Sequence, residues 1–397
     1  MDRLSKMFGA VLVTGARQVG KSTLLEHLTP DLPKRTMDNA TDFAAAHNSP
    51  DQFFAYNTPP IVIDEIQKAP TLFPEMKQII DSTKKKGLFY LSGSEQFEMM
   101  EQVSESLVGR VGIVNLMGLS LRERLSDDFA EGFSPRKEFL LKRKLKPGQL
   151  SPTQVWIEIQ RGAMPELVAH PEFDWSDYYG SYVRTYIERD VRKLTQVQDE
   201  LLFQSFMAVV AARTGQMLNI SNIARDVGIS HGSAQRWLSI LQASGIIYLL
   251  RPYHVNIGKR AIKSPKLYMT DTGLAAYLSR WNTPEVMQQG AMAGPFFETF
   301  VVGEILKSYY NRGVLDPPLY YYRDRDKREI DLIIIQDGTA HPLEIKKSSS
   351  PNKGDIEAFR ILDEVKGIQR GEGGVLCLAK TLQPLTEKDS VIPVGYL

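Results

Sequence analysis

The run Ala10-Val11-Leu12-Val13 is apolar at every position, the pattern of a strand buried on both faces of a parallel sheet. It passes through a glycine-bounded turn into Ser22-Thr23-Leu24-Leu25-Glu26, so the pattern predicts strand, loop and helix. Pro59-Pro60-Ile61-Val62-Ile63 and Leu88-Phe89-Tyr90-Leu91 predict two more buried strands, and Val111 to Leu116 is a further apolar stretch. From about Gly118 to Thr195 helical spacing dominates. Asn219 to Ser230 has the form of a capped helix, a glycine turn and a second cap. A second helix follows from Gly232 to Ala243, with Ala234, Trp237, Leu238 and Leu241 at helical spacing, which makes a helix-turn-helix pattern. In the last part a helix over Pro295 to Leu306 precedes two strands, Glu329 to Ile335 and one containing Leu343-Glu344-Ile345-Lys346. Asp337-Gly338 between them is a dipeptide favoured in two-residue hairpins.

A chain of 397 residues exceeds the size of one core, so two to four domains are expected. Its 43% hydrophobic and 24% charged residues are ordinary for a soluble globular protein. With 48 Lys and Arg against 47 Asp and Glu, the net charge of +1 supplies no global attraction to nucleic acid, and such binding would need local patches. The single cysteine, Cys377, excludes an internal disulfide and a cysteine zinc site, which suits a reducing cytoplasm. No apolar run reaches membrane-spanning length, and the apolar run after Met1 flows into the glycine loop in the manner of a buried strand, not a signal peptide. A cytoplasmic protein without membrane association is expected.

The glycine loop carries the first chemistry. Gly15-Ala16-Arg17-Gln18-Val19-Gly20-Lys21-Ser22-Thr23 fits G-x-x-x-x-G-K-[ST] in its strand-to-helix context. Backbone N–H groups and the helix start would cradle the phosphates of ATP, Lys21 would reach the β/γ-phosphates, and the Ser22 hydroxyl would ligate Mg²⁺. The strand over Ile61 to Ile63 ends in Asp64-Glu65, like a Walker B strand. Asp64 would hold the same Mg²⁺, and Glu65 would orient and polarise the attacking water. After Leu91, the hydroxyls of Ser92 and Ser94 are candidates to sense the γ-phosphate, or are turn formers. Arg110 is a candidate for a charge clamp supplied in trans or in cis, or is a solvated surface arginine.

The segments GARQVGKSTLL, IVIDEIQKAP, LSGSEQF and SESLVGR together resemble bacterial and archaeal AAA-type ATPases that carry a C-terminal domain of unknown function. The resemblance implies ATP binding and hydrolysis at Gly15 to Ser22 and at Asp64 and Glu65. Leu119 to Glu123 resembles the start of an AAA-type lid, and Arg161 to Glu166 and Tyr182 to Val191 look like the same family, so the resemblance covers nearly the whole chain. Only a short lead precedes the first strand, where family members carry a longer helical stretch.

The basic run Lys142 to Lys146 reads as a solvated loop or as a nucleic-acid contact. Ile246 to Thr270 holds Arg251, Lys259, Arg260, Lys263 and Lys266 and no acid until Asp271, so a hairpin there would be a basic wing. In a DNA-bound reading Ser230, His231, Ser233, Gln235 and Arg236 face the groove; winged helices also dock proteins. If Asp337-Gly338 is the hairpin loop, pairing sets Asp331 opposite Glu344 and Glu329 opposite Lys346, all on one face. Buried acids need compensation. Mg²⁺ or Mn²⁺ on Asp331 and Glu344, with Lys346 positioning and deprotonating water, would supply it. The spacing resembles the PD-(D/E)XK nuclease superfamily, which implies a third acid from the preceding helix, Glu298 first and Glu304 second. A surface ladder of Glu344 and Lys346, or a retained fold without cleavage, remain the alternatives.

The expected architecture is a multi-domain α/β chain. It comprises a P-loop AAA-type core over 1–117, a helical lid over 118–200, a winged helix-turn-helix over 201–284 and a restriction-endonuclease-like α/β domain over 285–397. The expected function is an ATP-hydrolysing homo-oligomer that acts on DNA, with a metal-dependent nuclease domain. The alternative is an ATP-dependent switch whose last two domains bind a protein or nucleic-acid partner without cutting. A P-loop kinase for small molecules fits less well, because Glu65 supplies a water-activating acid.

Overall fold

The computed structural model describes residues 1–93, 106–144, 150–186, 200–253, 264–324, 328–364 and 369–397. Ser94, the tail of the Lys142 to Lys146 run, Ile187 to Val191 and the wing residues Lys259, Arg260 and Lys263 lie outside them. The chain forms two compact units, the first over Met1–Gly118 and the second over nearly all of the rest.

In the first unit five strands form one parallel sheet: β1 (Ala10–Gly15), β2 (Lys34–Thr36), β3 (Ile61–Asp64), β4 (Phe89–Ser92) and β5 (Val111–Leu116), in the order β2-β3-β4-β1-β5. Every residue of β1 is buried, as its unbroken apolar run requires of a central strand covered on both faces. One layer packs Leu12, Ile61, Ile63, Phe89 and Leu91 against Phe53, Phe54, Phe73 and Met76. The other packs Val13 and Val62 against Leu25 of the helix Lys21–Leu28. The helix Leu72–Thr83 buries Leu72, Phe73, Met76 and Ile80, one stripe at 3.6-residue spacing. This layering brings the ends of β1, β3 and β4 side by side, because Leu12 lies level with Leu91 and Leu91 with Ile63.

In the second unit the helices Ile220–Val227 and His231–Ala243 are joined through Gly228, whose left-handed φ of 80° ends the first helix. Asn219 accepts from the Asn222 N–H and the Ser230 hydroxyl accepts from the Ser233 N–H, capping both helices. A small antiparallel sheet accompanies them: β6 (Gln216–Met217), β7 (Ile247–Leu250) and β8 (Lys266–Met269), in the order β6-β8-β7.

A mixed sheet forms the C-terminal part. It contains β9 (Leu319–Arg323), β10 (Glu329–Gln336), β11 (Thr339–Lys346), β12 (Gln369–Arg370), β13 (Gly373–Cys377), β14 (Gln383–Pro384) and β15 (Asp389–Pro393). The main path runs β14-β15-β13-β11-β10-β9, with β12 paired to β11. Asp337 (φ 51°) and Gly338 (φ 76°) make the expected two-residue turn, and the ladder runs from Gln336 opposite Thr339 to Leu332 opposite Leu343. The helix Ala293–Tyr310 is buried along most of its length and presents acids on different sides. Among the described residues no helix is long and apolar enough to cross a membrane.

Candidate functional site

The first site is built at the end of β1. A Gly15 φ of 147°, a left-handed Gln18 (φ 59°) and a left-handed Gly20 (φ 90°) turn the chain back on itself before the helix Lys21–Leu28 begins. Such a turn points successive N–H groups inward, the backbone arrangement that binds anions. Lys21 is buried, and its Nζ donates to the carbonyl oxygens of Gly15 at 3.1 Å and Ala16 at 2.7 Å. The ammonium is thus folded over the loop, where phosphate oxygens can replace these carbonyls as its acceptors.

Ser22 donates to both carboxylate oxygens of Asp64, each at 3.0 Å. Ser92, at the end of the neighbouring strand β4, donates to Asp64 Oδ1 as well. The two motifs separated by more than forty positions in the sequence therefore share one set of hydrogen bonds. Glu65 follows with φ 55° and ψ 42°, a conformation that costs a non-glycine residue energy and recurs at working sites. Gln67, on the next turn, donates to the Glu65 carboxylate. Gln67 carries no motif signature, and only its place two residues after the acid pair hints at this role. Arg110 forks onto Asp81, with Nε at 2.6 Å and Nη2 at 2.8 Å. That hydrogen bonding raises the arginine's pKa and lowers that of the aspartate.

The second group of charged residues lies in the C-terminal part. Asp331 accepts from the Ile345 N–H at 3.0 Å, and Lys346 lies 2.7 Å from Glu344 Oε2 and 3.7 Å from Asp331 Oδ2. The expected grouping of Asp331, Glu344 and Lys346 is therefore present. Glu329 points elsewhere: its oxygens pair with Lys266 at 2.5 Å and Arg323 at 3.1 Å, not with Lys346. Glu298 is drawn to the same lysine. Its Oε1 accepts from Lys266 Nζ at 2.9 Å and from the Tyr268 hydroxyl at 2.6 Å.

Lys266 is the residue that sequence reasoning placed wrongly. A basic wing would expose it, yet its side chain is 3% accessible and its ammonium lies among Glu298, Glu329 and Asp331. Burial alone would lower its pKa, but the three carboxylates outweigh burial and raise it, so it remains charged. Burial, and then Asp331, push Glu298 up to about 7 and Glu344 up to about 9. Glu344 Oε1 is buried and has no hydrogen-bond partner among the described residues.

Two further expectations are corrected. Glu304, the second choice for a third acid, is a structural group. It accepts from the Leu121 N–H at 2.7 Å, Arg124 at 3.0 Å and Lys307 at 2.6 Å, and these cations hold its pKa down against the effect of burial. In the basic run, Arg143 is buried, donating to the Tyr396 and Leu397 carbonyls and pairing with Asp127 at 2.5 Å. Of the suggested groove residues, Ser230, His231, Gln235 and Arg236 are exposed, and Ser233 is half-buried. Among the described residues no group of three or more His, Cys, Asp or Glu side chains is placed to hold a metal ion.

Residues 8–125 match the model of an AAA domain, so the loop and the Asp64-Glu65 strand belong to an ATPase domain of the P-loop AAA type. Residues 154–285 and 293–397 match two domains of unknown function, DUF8612 and DUF4143. Two curated relatives, described as uncharacterized protein Mb2031c of Mycobacterium bovis and uncharacterized protein Rv2008c of Mycobacterium tuberculosis, are each 29% identical over 345 residues, 86% of this chain and 71% of theirs. A solved structure, the Walker-type ATPase PABY2304 of Pyrococcus abyssi, aligns at a TM-score of 0.43 and 12% identity, covering 70% of this chain and 93% of that one.

Proposed function

We propose that the chain is an ATP-driven switch that engages DNA through its helix-turn-helix segment and couples nucleotide state to that contact. The observation that carries this reading is the shared hydrogen bonding of Ser22, Asp64 and Ser92. A hydroxyl and a carboxylate that close are the donor set expected for one Mg²⁺. When bound, Mg²⁺ neutralises phosphate charge during transfer.

The chain's own residues do the rest. Lys21 trades its loop carbonyls for β/γ-phosphate oxygens, and Ser92 holds Asp64 in place. Glu65, oriented by Gln67, aligns the attacking water and receives its proton. In a homo-oligomer Arg110 reaches a neighbour's phosphates only after leaving Asp81. Arg110→Ala is then expected to lower ATP turnover by about 10³-fold, with nucleotide affinity kept and activity rescued by mixing with subunits that carry an intact Arg110. Unchanged turnover assigns it to the Asp81 pair alone.

DNA contact is supported by the exposed His231, Gln235 and Arg236 on the second of the two helices joined through Gly228, the element that reads the major groove in helix-turn-helix proteins. Binding without cleavage is favoured because Lys266 already neutralises Glu298, Glu329 and Asp331. The second reading, a nuclease using Mg²⁺ or Mn²⁺, is favoured by the grouping of Asp331, Glu344 and Lys346 and by the unpartnered Glu344 oxygen.

One assay tests both. ATP hydrolysis and DNA cleavage are measured together, with each metal and nucleotide, for wild type, Lys21→Ala and Asp331→Ala. Lys21→Ala is expected to lose ATP hydrolysis by at least about 10²-fold, and Asp331→Ala to keep it. Intact DNA in every wild-type reaction supports the switch. A metal-dependent cut that disappears in Asp331→Ala establishes the nuclease, and wild type without ATP hydrolysis defeats the switch.

A further inference from the structure

We propose that a cavity at one end of the mixed sheet binds a phosphorylated sugar, with Lys353, Arg360 and Lys388 on its phosphate and Glu357 and Glu387 on its hydroxyls. Neither the ATP loop nor the helix-turn-helix takes part, so the site stands apart from the switch reading.

The cavity measures about 510 Å³, a size that encloses a small molecule. Its floor is fixed by a buried network. Arg370 of β12 donates through Nη2 to both Asp389 oxygens, at 2.6 and 2.8 Å, and its guanidinium lies over the Phe359 ring at 5.4 Å. Asp389, the first residue of β15, also accepts from the Thr386 hydroxyl at 2.7 Å. Arg370 is thereby held with Nη1 free of hydrogen bonds among the described residues, 3.6 Å from Asp363. A planar donor held in this way suits a phosphate oxygen. Ile356 and Phe359 anchor the segment Lys353–Phe359 in the core of the sheet, while Lys353, Glu357 and Arg360 stay exposed along the cavity. Glu387 and Lys388 line it from the turn before β15.

The side chains of Lys353, Arg360 and Lys388 form no hydrogen bond or ion pair among the described residues, and neither do those of Glu357 and Glu387. Charges of both signs thus share one cavity without neutralising one another. The unspent cations outnumber the unspent acids, so the cavity attracts an anion. Lysine and arginine take phosphate oxygens through charge-assisted hydrogen bonds, and carboxylates accept from hydroxyls, as acids do from ribose in dinucleotide sites. No aromatic ring is among the described lining residues, so none of them offers a face on which a base could stack. The chemistry therefore fits the sugar and its phosphate, free or at the 5′ end of a nucleic-acid strand. This place is distinct from the acids around Lys346, because Arg370 pairs with Ala340 of β11, about 13 Å along the strand from Glu344.

The test measures binding of ribose 5-phosphate to the full chain by isothermal titration calorimetry, for wild type, Lys21→Ala, Arg360→Ala/Lys388→Ala and Glu357→Ala/Glu387→Ala. The four substituted cavity residues are exposed, so these variants should keep their fold, which circular dichroism checks. One site is expected, unchanged in Lys21→Ala and at least about ten-fold weaker in Arg360→Ala/Lys388→Ala, the worth of one charge-assisted hydrogen bond. Inorganic phosphate should bind wild type at least about ten-fold more weakly than ribose 5-phosphate, and Glu357→Ala/Glu387→Ala should remove that preference. Displacement of ribose 5-phosphate by a 5′-phosphorylated oligonucleotide, and not by its unphosphorylated twin, supports the site with a strand end as the source. Displacement by neither supports it with the free sugar phosphate as the source. No binding of ribose 5-phosphate, equal binding by wild type and Arg360→Ala/Lys388→Ala, or displacement by the unphosphorylated strand overturns the proposal. A preference over inorganic phosphate that survives in Glu357→Ala/Glu387→Ala overturns the part given to the acids. Loss of binding in Lys21→Ala would place the ligand on the ATP loop and overturn the proposal too, whereas wild type without ATP hydrolysis counts against the switch alone.

Discussion

Glu65→Gln is expected to lower ATP turnover by about 10²–10⁴-fold, the worth of one positioned proton acceptor, while ATP binding changes little. The substitution keeps the shape of the side chain and removes only its charge. The phosphate cradle is built from the backbone turn at Gln18 and Gly20 and from Lys21, and Asp64 keeps its bonds from Ser22 and Ser92. Gln67 can still donate to the amide oxygen of the new residue, so the left-handed turn at position 65 is preserved. Steady-state phosphate release, paired with equilibrium binding of a fluorescent ATP analogue, separates the two quantities. Loss of binding in step with loss of turnover would move Glu65 from chemistry to scaffolding.

Gly15→Ala is expected to destabilise the first unit by roughly 2–5 kcal/mol and to abolish nucleotide binding with it. Two costs add here. At φ 147° a side chain is strained, and a methyl group on Gly15 would lie 2.0 Å from the Leu116 carbonyl oxygen of the adjacent strand. That oxygen belongs to backbone, which cannot rotate away as a side chain can. Since Gly15 pairs with Leu116 at the end of β1, relief would require β1 and β5 to separate where the loop begins. Thermal unfolding read by circular dichroism, with and without ATP, checks the claim. An unchanged melting temperature would show that this turn is looser than the strand pairing indicates.

Much of the first site was legible because its determinants are local. Gly15 to Ser22 is a single turn between a strand and a helix, and Asp64-Glu65 ends the next apolar run that follows a helix. Asp337-Gly338 similarly set the hairpin and, with it, the proximity of Asp331 to Glu344. What was not legible depends on residues that meet only in three dimensions. Lys266 stands among four other basic residues, a local pattern that reads as an exposed wing, and nothing in its neighbourhood announces acids contributed by a later helix and strand. Glu298 and Glu304 lie six residues apart on a helix buried over most of its surface. Apolar periodicity could not tell which of them faces the sheet acids, and only the partners Lys266 and Lys307 separate the two. Arg143 was hidden in a lysine-rich run, although the arginine stacks over Phe129 at 4.8 Å and donates to the Tyr396 and Leu397 carbonyls.

Nucleotide state is expected to change the DNA contact. Its most direct test is the affinity of Glu65→Gln for a labelled DNA duplex, measured by fluorescence anisotropy in Mg²⁺ with ATP and again with ADP. Dissociation constants are expected to differ by at least about 5-fold between the two nucleotides, the lower end of ordinary allosteric coupling. Identical affinities in both states would contradict it.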